Sequence, residues 1–221
     1  MELSTALRTT GSVRAFTDEA VDDATLYALL DDARFAPSGG NRQGWRVAVV
    51  RDLAKREALA ELMRPVWDDY VAVRGTGMTP FTVVDPGTYQ PAERAPGHSP
   101  NDLLDNIATT PVVLVVAADL SLVSMMDKDL DRAAITGGAS IYPFCWNLLL
   151  AARDRGLGGV MTTFLARAEP AAAPLLGLPA NYAIASTIFI GHPVHQPTKL
   201  KRAPVEAFAT IDGFAGEAFA G

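Results

Sequence analysis

The chain has 221 residues, enough for one large domain with a substantial core. Its 49% hydrophobic and 20% charged residues are those of a soluble globular protein, and its net charge of −6 speaks against a nucleic-acid backbone as partner. Three histidines and a single cysteine, Cys145, leave little for a metal site and no internal disulfide, which fits a reducing cytoplasm. No apolar run follows a basic segment at the N-terminus, so no signal peptide is expected. The longest apolar run, Pro111 to Ala118, is too short to span a bilayer.

A short helix is expected between Met1 and Phe16. A second runs from about Asp22 to Phe35, capped by Asp22 or Asp23, with Leu26, Leu29, Leu30 and Ala33 on one face; Pro37 stops it. Trp45 to Val50 reads as a strand. Leu53 to Arg74 reads as a helix with a Leu59, Leu62, Met63, Val66 stripe, and Pro65 marks a kink. The segment 75–100 holds five prolines and four glycines around Phe81, Tyr89 and His98 and shows no periodicity. Its length marks either a lid over a site or a surface loop.

Beyond it, Asn101 to Thr109 reads as a short helix or turn, and Pro111 to Ala118 as a strand buried on both faces. Asp131 to Arg155 is the longest helical stretch. It carries the small residues Gly137, Gly138, Ala139 and Ser140, Pro143 interrupts it, and Gly156-Leu157-Gly158-Gly159 ends it. A strand over Val160–Phe164, a helix over Glu169–Leu176 and a strand over Tyr182–Ile190 follow, then a tail that carries Lys199-Leu200-Lys201-Arg202-Ala203-Pro204. There is no internal repeat and no linker, so 1–221 reads as one domain.

The segment with most chemical content is Ala36-Pro37-Ser38-Gly39-Gly40-Asn41-Arg42-Gln43-Gly44-Trp45. A glycine-rich polar loop between a helix and a strand lets backbone approach a flat polar ligand, and the Asn41 and Gln43 amides each offer a donor and an acceptor to a ring edge. An ordinary helix-to-strand turn would carry the same glycines. Ser12-Val13-Arg14-Ala15-Phe16 places an arginine beside apolar residues, and Gly156 to Phe164 joins a tight turn to a strand through Met161, Thr162 and Thr163. A Rossmann reading of those glycines fails because they follow a helix and not a first strand. Cys145, in Tyr-Pro-Phe-Cys-Trp, reads as an inert core thiol.

In order and spacing these segments resemble the FMN-dependent nitroreductase family: its Arg-Arg-Ser-x-Arg-x-Phe entry, its Ala-Pro-Ser-x-x-Asn-x-Gln-x-Trp loop, its Gly-Leu-Gly turn, and a basic residue a few positions after a Gly-x-Pro turn, here Arg202 after Gly191-His192-Pro193. The resemblance implies an α+β fold, a mixed, mainly antiparallel sheet surrounded by helices, in an obligate homodimer with two FMN sites at the interface. It assigns FMN contacts to Ser12, Val13, Arg14, Pro37, Ser38, Gly39, Asn41, Gln43, Met161, Thr162, Thr163 and Arg202, and Phe81 and Tyr89 fall to the substrate side.

The implied reaction is ping-pong. NADH or NADPH reduces FMN and leaves, and a nitroaromatic, quinone or activated alkene then takes the electrons, with no catalytic side chain required. Other chemistry on the same scaffold, flavin fragmentation or reductive dehalogenation, and non-catalytic flavin binding are the alternatives. The chain departs from the family pattern at Thr10-Gly11, where many members have Arg-Arg, so one phosphate-binding arginine is either missing or moved to Arg8. It departs again at Gly44, where proline commonly precedes the tryptophan, and throughout 75–100.

Overall fold

A computed structural model describes residues 1–73, 79–83 and 97–221. The chain opens with α1 (Leu3–Thr9), then α2 (Asp23–Ala33), whose first turn is capped by Asp22 accepting from the Thr25 N–H at 2.7 Å. β1 (Trp45–Val49) leads into α3 (Leu53–Ala72), capped by Asp52. α3 continues past Pro65, so the expected kink does not end it there. After α4 (Asp102–Asp105) comes β2 (Val112–Asp119).

The helix expected from Asp131 starts only at Tyr142, as α5 (Tyr142–Asp154). Two glycines make a poor helix start, and Pro143 lacks the N–H that would bond back to residue 139, so 136–140 form a 3₁₀ turn and Pro143 takes the first turn of α5. β3 (Gly158–Thr162) begins two residues earlier than expected, and Phe164 opens α6 (Phe164–Arg167) instead of ending the strand. α7 (Glu169–Leu176) closes at Gly177, left-handed at φ 64°, and β4 (Tyr182–Gly191) is the longest strand.

The sheet has the order β1-β2-β4-β3, and each described pairing is antiparallel. Helices cover both faces. Leu26, Leu29 and Ala33 of α2 and Phe144, Leu148 and Ala152 of α5 pack on Val112, Leu114, Val116 and Ile188. Leu59 and Met63 of α3, with residues of α4, α6 and α7, pack on Val113, Val115, Val160 and Phe189. All eight residues of β2 are buried for this reason. β1 and β3 are the edge strands, and the functional segments attach to these two edges. No described helix is long and apolar enough to cross a membrane.

Candidate active site

Val13 meets the open edge of β3, and residues 15–17 pair with 192–194, just past the end of β4. The Val13 N–H donates to Gly159 O at 3.0 Å, and Thr17 N–H donates to His192 O at 2.9 Å. Val13 is buried against Gly158, where a Cβ would come within 2.6 Å of the Val13 side chain. Gly158 is therefore a close-approach residue and not merely part of a helix stop, and it fixes where the next residue, Arg14, projects.

Peptide groups alternate sides along a strand. Since Gly159 O faces away from β4, the N–H groups of Met161 and Thr163 face the same open side. There they meet a cleft of about 520 Å³ lined by Arg14, Trp67, Tyr70, Pro100, Asn101, Asp102, Leu103 and residues 160–164. Its size is that of a site for a small molecule or cofactor.

One wall of the cleft is aromatic. The Trp67 and Tyr70 rings stack at 5.7 Å, and Phe164 closes on both. The other wall is polar. The Asn101 Oδ1 caps α4 by accepting from the Leu103 and Leu104 N–H groups, which leaves its Nδ2 group to donate elsewhere. The Thr162 hydroxyl is buried without a partner, as is that of Thr187 directly across on β4. A buried orphan hydroxyl calls for a ligand or water. Arg14 is exposed and has no described hydrogen-bonding or ionic partner, so its charge is available to the cleft. A second hollow of about 330 Å³, lined by residues 14–18, Asp102, Asn106, Thr109 and Thr110, adjoins it across Arg14 and Asp102.

The loop at Ser38–Gln43 stands elsewhere. Gly40, Asn41 and Gln43 all take left-handed backbone, at φ 61°, 52° and 51°. For Gln43 this costs energy that a plain turn would avoid. Ser38 Oγ accepts from the Gln43 N–H at 3.0 Å, and the Gln43 side-chain amide donates to Asn41 Oδ1 at 3.2 Å. The loop is braced from behind by Gly39 N–H to Ser140 Oγ and by Arg42 to Ser124 Oγ. Pro37, Gly39, Asn41 and Gln43 are exposed, and Ser38 is half-buried.

Trp45, just past this loop, is level with Ala118 and Ala183, whereas Gly159 beside Val13 is level with Ile190. The two places are three strand spacings apart, roughly 14 Å, and seven residues apart along the strands, roughly 23 Å. The Ser38–Gln43 loop and Arg14 thus lie at opposite edges and opposite ends of the sheet.

The structure brings together Val13, Arg14, Met161, Thr162 and Thr163, with exposed Ser12 beside them. It does not bring Arg202 there: that side chain is exposed on the tail and donates to Lys201 O. Arg8 is exposed in the last turn of α1. Phe81, left-handed at φ 56°, lies under the Arg167 guanidinium at 4.6 Å and outside the cleft lining. Tyr89 and most of 75–100 lie outside the described residues. Trp67, Tyr70, Asn101 and Phe164 are cleft residues that the sequence did not reveal. The first two look like core positions on a helical stripe; only an Asn followed by Asp-Leu-Leu, a cap signal, hinted at the third.

The nitroreductase family model matches residues 7–192. The chain belongs to the nitroreductase family. It is 29% identical over 187 residues to a protein of Archaeoglobus fulgidus named as an NADH dehydrogenase/NAD(P)H nitroreductase, covering 82% of this chain and 80% of that one. It is 30% identical over 183 residues to a 5,6-dimethylbenzimidazole synthase of Rhodospirillum rubrum, covering 82% and 77%. The fold is similar to that of an NADPH:FMN oxidoreductase from Vibrio harveyi solved with NAD⁺, at TM-score 0.67 and 21% identity, covering 95% of this chain and 76% of that one. The chain is accordingly an oxidoreductase enzyme of this family.

Proposed function

We propose that the protein is an FMN-dependent oxidoreductase that passes electrons from NADH or NADPH to a nitroaromatic, quinone or activated alkene by a ping-pong sequence, in the cytoplasm. The observation that carries this reading is the cleft on the β3 edge. A free guanidinium, two outward N–H groups, the Asn101 amide and an orphan Thr162 hydroxyl there face an aromatic wall. Such donors suit a flat ring system with a polar, electron-rich edge, as FMN has. When bound, FMN supplies two-electron redox chemistry. Arg14 offers positive charge to an anionic ring edge or phosphate, and the Met161 and Thr163 N–H groups orient the ring without any proton transfer. Trp67, Tyr70 and Phe164 exclude water and offer a stacking face to a planar acceptor.

We further propose a homodimer in which each site joins the Arg14 cleft of one protomer to the Ser38–Gln43 loop of the other. Two features support this: the placement of the two at opposite edges of the sheet, and an exposed C-terminal tail carrying Val205, Phe208, Ile211, Phe214 and Phe219. Exposed large apolar side chains grouped on one segment are the kind of surface a partner covers. One domain over 1–221 serves this arrangement.

The likeness to a 5,6-dimethylbenzimidazole synthase favours a second reading, a different reaction on the same scaffold. Anaerobic mixing of the purified holoprotein with NADH and NADPH, then with each acceptor class, tests the proposal. Rapid bleaching of bound flavin and its recovery with acceptor is the expected result. A protein that takes up no FMN overturns it, and bleaching that no acceptor reverses favours the second reading.

A further inference from the structure

Along the rim of the cleft, the last turns of α3 hold the segment 97–101 by three bonds from two neighbouring residues. Trp67 Nε1–H donates to Pro100 O at 3.1 Å, Asp68 Oδ1 accepts from the Ser99 N–H at 2.7 Å, and Asp68 Oδ2 meets His98 Nδ1 at 2.6 Å. Trp67, Pro100 and Asn101 line the cleft itself. The Asp68 side chain is 7% exposed while that of His98 is 45% exposed. Burial works against the Asp68 charge, but the bonds from His98 and Ser99 outweigh it and hold the carboxyl below the usual carboxylate range. Asp68 is therefore an acceptor at neutral pH, Nδ1 carries the proton of that bond, and Nε2 has no described partner.

We propose that His98, oriented by Asp68, delivers the proton that an acceptor needs when it is reduced at this cleft. The inference rests on the oxidoreductase reading above. A quinone or nitro acceptor gains a hydride equivalent, supplied by the reduced cofactor, and one proton. The Nε2–H bond of the imidazolium breaks, an O–H bond forms on the acceptor directly or through one water, and the imidazole recovers its proton from solvent. The other described groups here are ill suited. Arg14 is assigned to hold the cofactor, and Tyr70 to the aromatic wall. The charged groups on the elements that meet here are Lys55, Arg56, Glu57, Glu61, Arg64, Asp68 and Asp69 of α3 and Asp102 and Asp105 of α4, with Arg14 on the cleft and Arg167 of α6. The remaining histidines lie elsewhere: His192 beside Glu19, and His195 beyond Pro193.

Stopped-flow reoxidation of the reduced holoprotein separates the possibilities, with benzoquinone as an acceptor that needs a proton and ferricyanide as one that does not. In His98→Gln, FMN content, reduction by NADH and reoxidation by ferricyanide are expected within about twofold of wild type. Benzoquinone reoxidation should slow at least about tenfold and lose its dependence on pH. In Asp68→Asn the same quinone-specific loss should be smaller. Independently of turnover, ¹⁵N NMR of the FMN-free protein should show neutral His98 as the Nδ1–H tautomer, with that preference lost in Asp68→Asn. Equal benzoquinone rates and pH profiles in His98→Gln and wild type overturn the proposal. So does parallel loss with both acceptors, which marks a structural role, and so does an Nε2–H tautomer in wild type. A protein that loads no FMN fails earlier, at the cofactor reading.

Discussion

Arg56 shows how much one side chain can hold. The residue is 7% exposed and has no described carboxylate paired with it. Instead it donates to the carbonyls of Val50, Ala108 and Thr110 at 2.7–3.2 Å, with Ile107 and Pro111 at 3.5 Å. Burial pulls its pKa below the ordinary arginine value, yet carbonyls accept from all three of its nitrogens. Arg56→Ala strands several buried carbonyls at about 1–3 kcal/mol each, so a total near 3 kcal/mol and a fall in Tm of roughly 6–12 °C are expected. Arg56→Lys should recover only part of this, because one ammonium does not match a planar fork. Thermal unfolding of both variants checks the point. Arg14 and Cys145 make a second contrast. Arg14→Ala should weaken FMN binding by more than about tenfold, the loss of a charge-assisted hydrogen bond of about 1.5–3 kcal/mol. Cys145→Ser should leave it unchanged, since that thiol is buried 3.4 Å from Ser186 Oγ and burial pushes its pKa up. FMN titration of the two apoproteins decides; equal affinity in Arg14→Ala and wild type removes Arg14 from the site.

At the scale of elements, the turn 120–140 is the support of the Ser38–Gln43 loop, and Asp127 is its clamp. The Asp127 carboxylate is buried. It accepts from the Thr136 hydroxyl at 2.6 Å, the Ile135 and Thr136 N–H groups, and Arg132 at 2.6 Å. The Thr136 hydroxyl and the Ile135 N–H are the main reasons its carboxyl is held far below the usual carboxylate range. A depressed carboxyl pKa adds stability that is complete above the unfolded value, near 3.9, and fades as pH falls toward the folded value. Wild type should therefore unfold at a higher temperature than Asp127→Asn by a constant margin from pH 8 to pH 5, and that margin should shrink below about pH 4. Melting curves across pH test this; a margin that grows in acid contradicts it. The sequence marked this region as helix from its small and apolar residues. The helix begins only at Tyr142 because Pro143 and the two glycines oppose an earlier start, and because the acceptors of Asp127 draw the backbone into a turn.

At the scale of the molecule, the proposed site is divided between protomers, and the division can be tested by mixing. A protomer carrying Arg14→Ala keeps its loop, and one carrying Asn41→Ala with Gln43→Ala keeps its Arg14. Each homodimer should bind FMN poorly. Co-refolding the two should restore tight binding at about a quarter of all sites, since half of the dimers are mixed and each holds one intact pair. If both segments served one protomer's own site, no mixture would recover. Light scattering at assay concentration should show the dimer throughout, and a flavin-loaded active monomer would overturn the division.

Periodicity and caps alone determined most elements. The Leu26, Leu29, Ala33 face, the Asp22 cap, the Pro111–Ala118 run and the Gly177 stop are local signals, each set by residues within a few positions of one another. The ordered motifs likewise gave the family, because their spacing follows from the fold they serve. Tertiary structure decided what depends on contacts distant in sequence. It turned Gly158 from a helix stop into the seat of Val13, left Arg202 on an exposed tail, and set the Ser38–Gln43 loop across the sheet from Arg14. It also gathered Trp67, Tyr70, Asn101 and Phe164 around one cleft. None of these is written in local pattern: strand order, and the close approach of residues more than a hundred positions apart, arise only when the sheet is assembled.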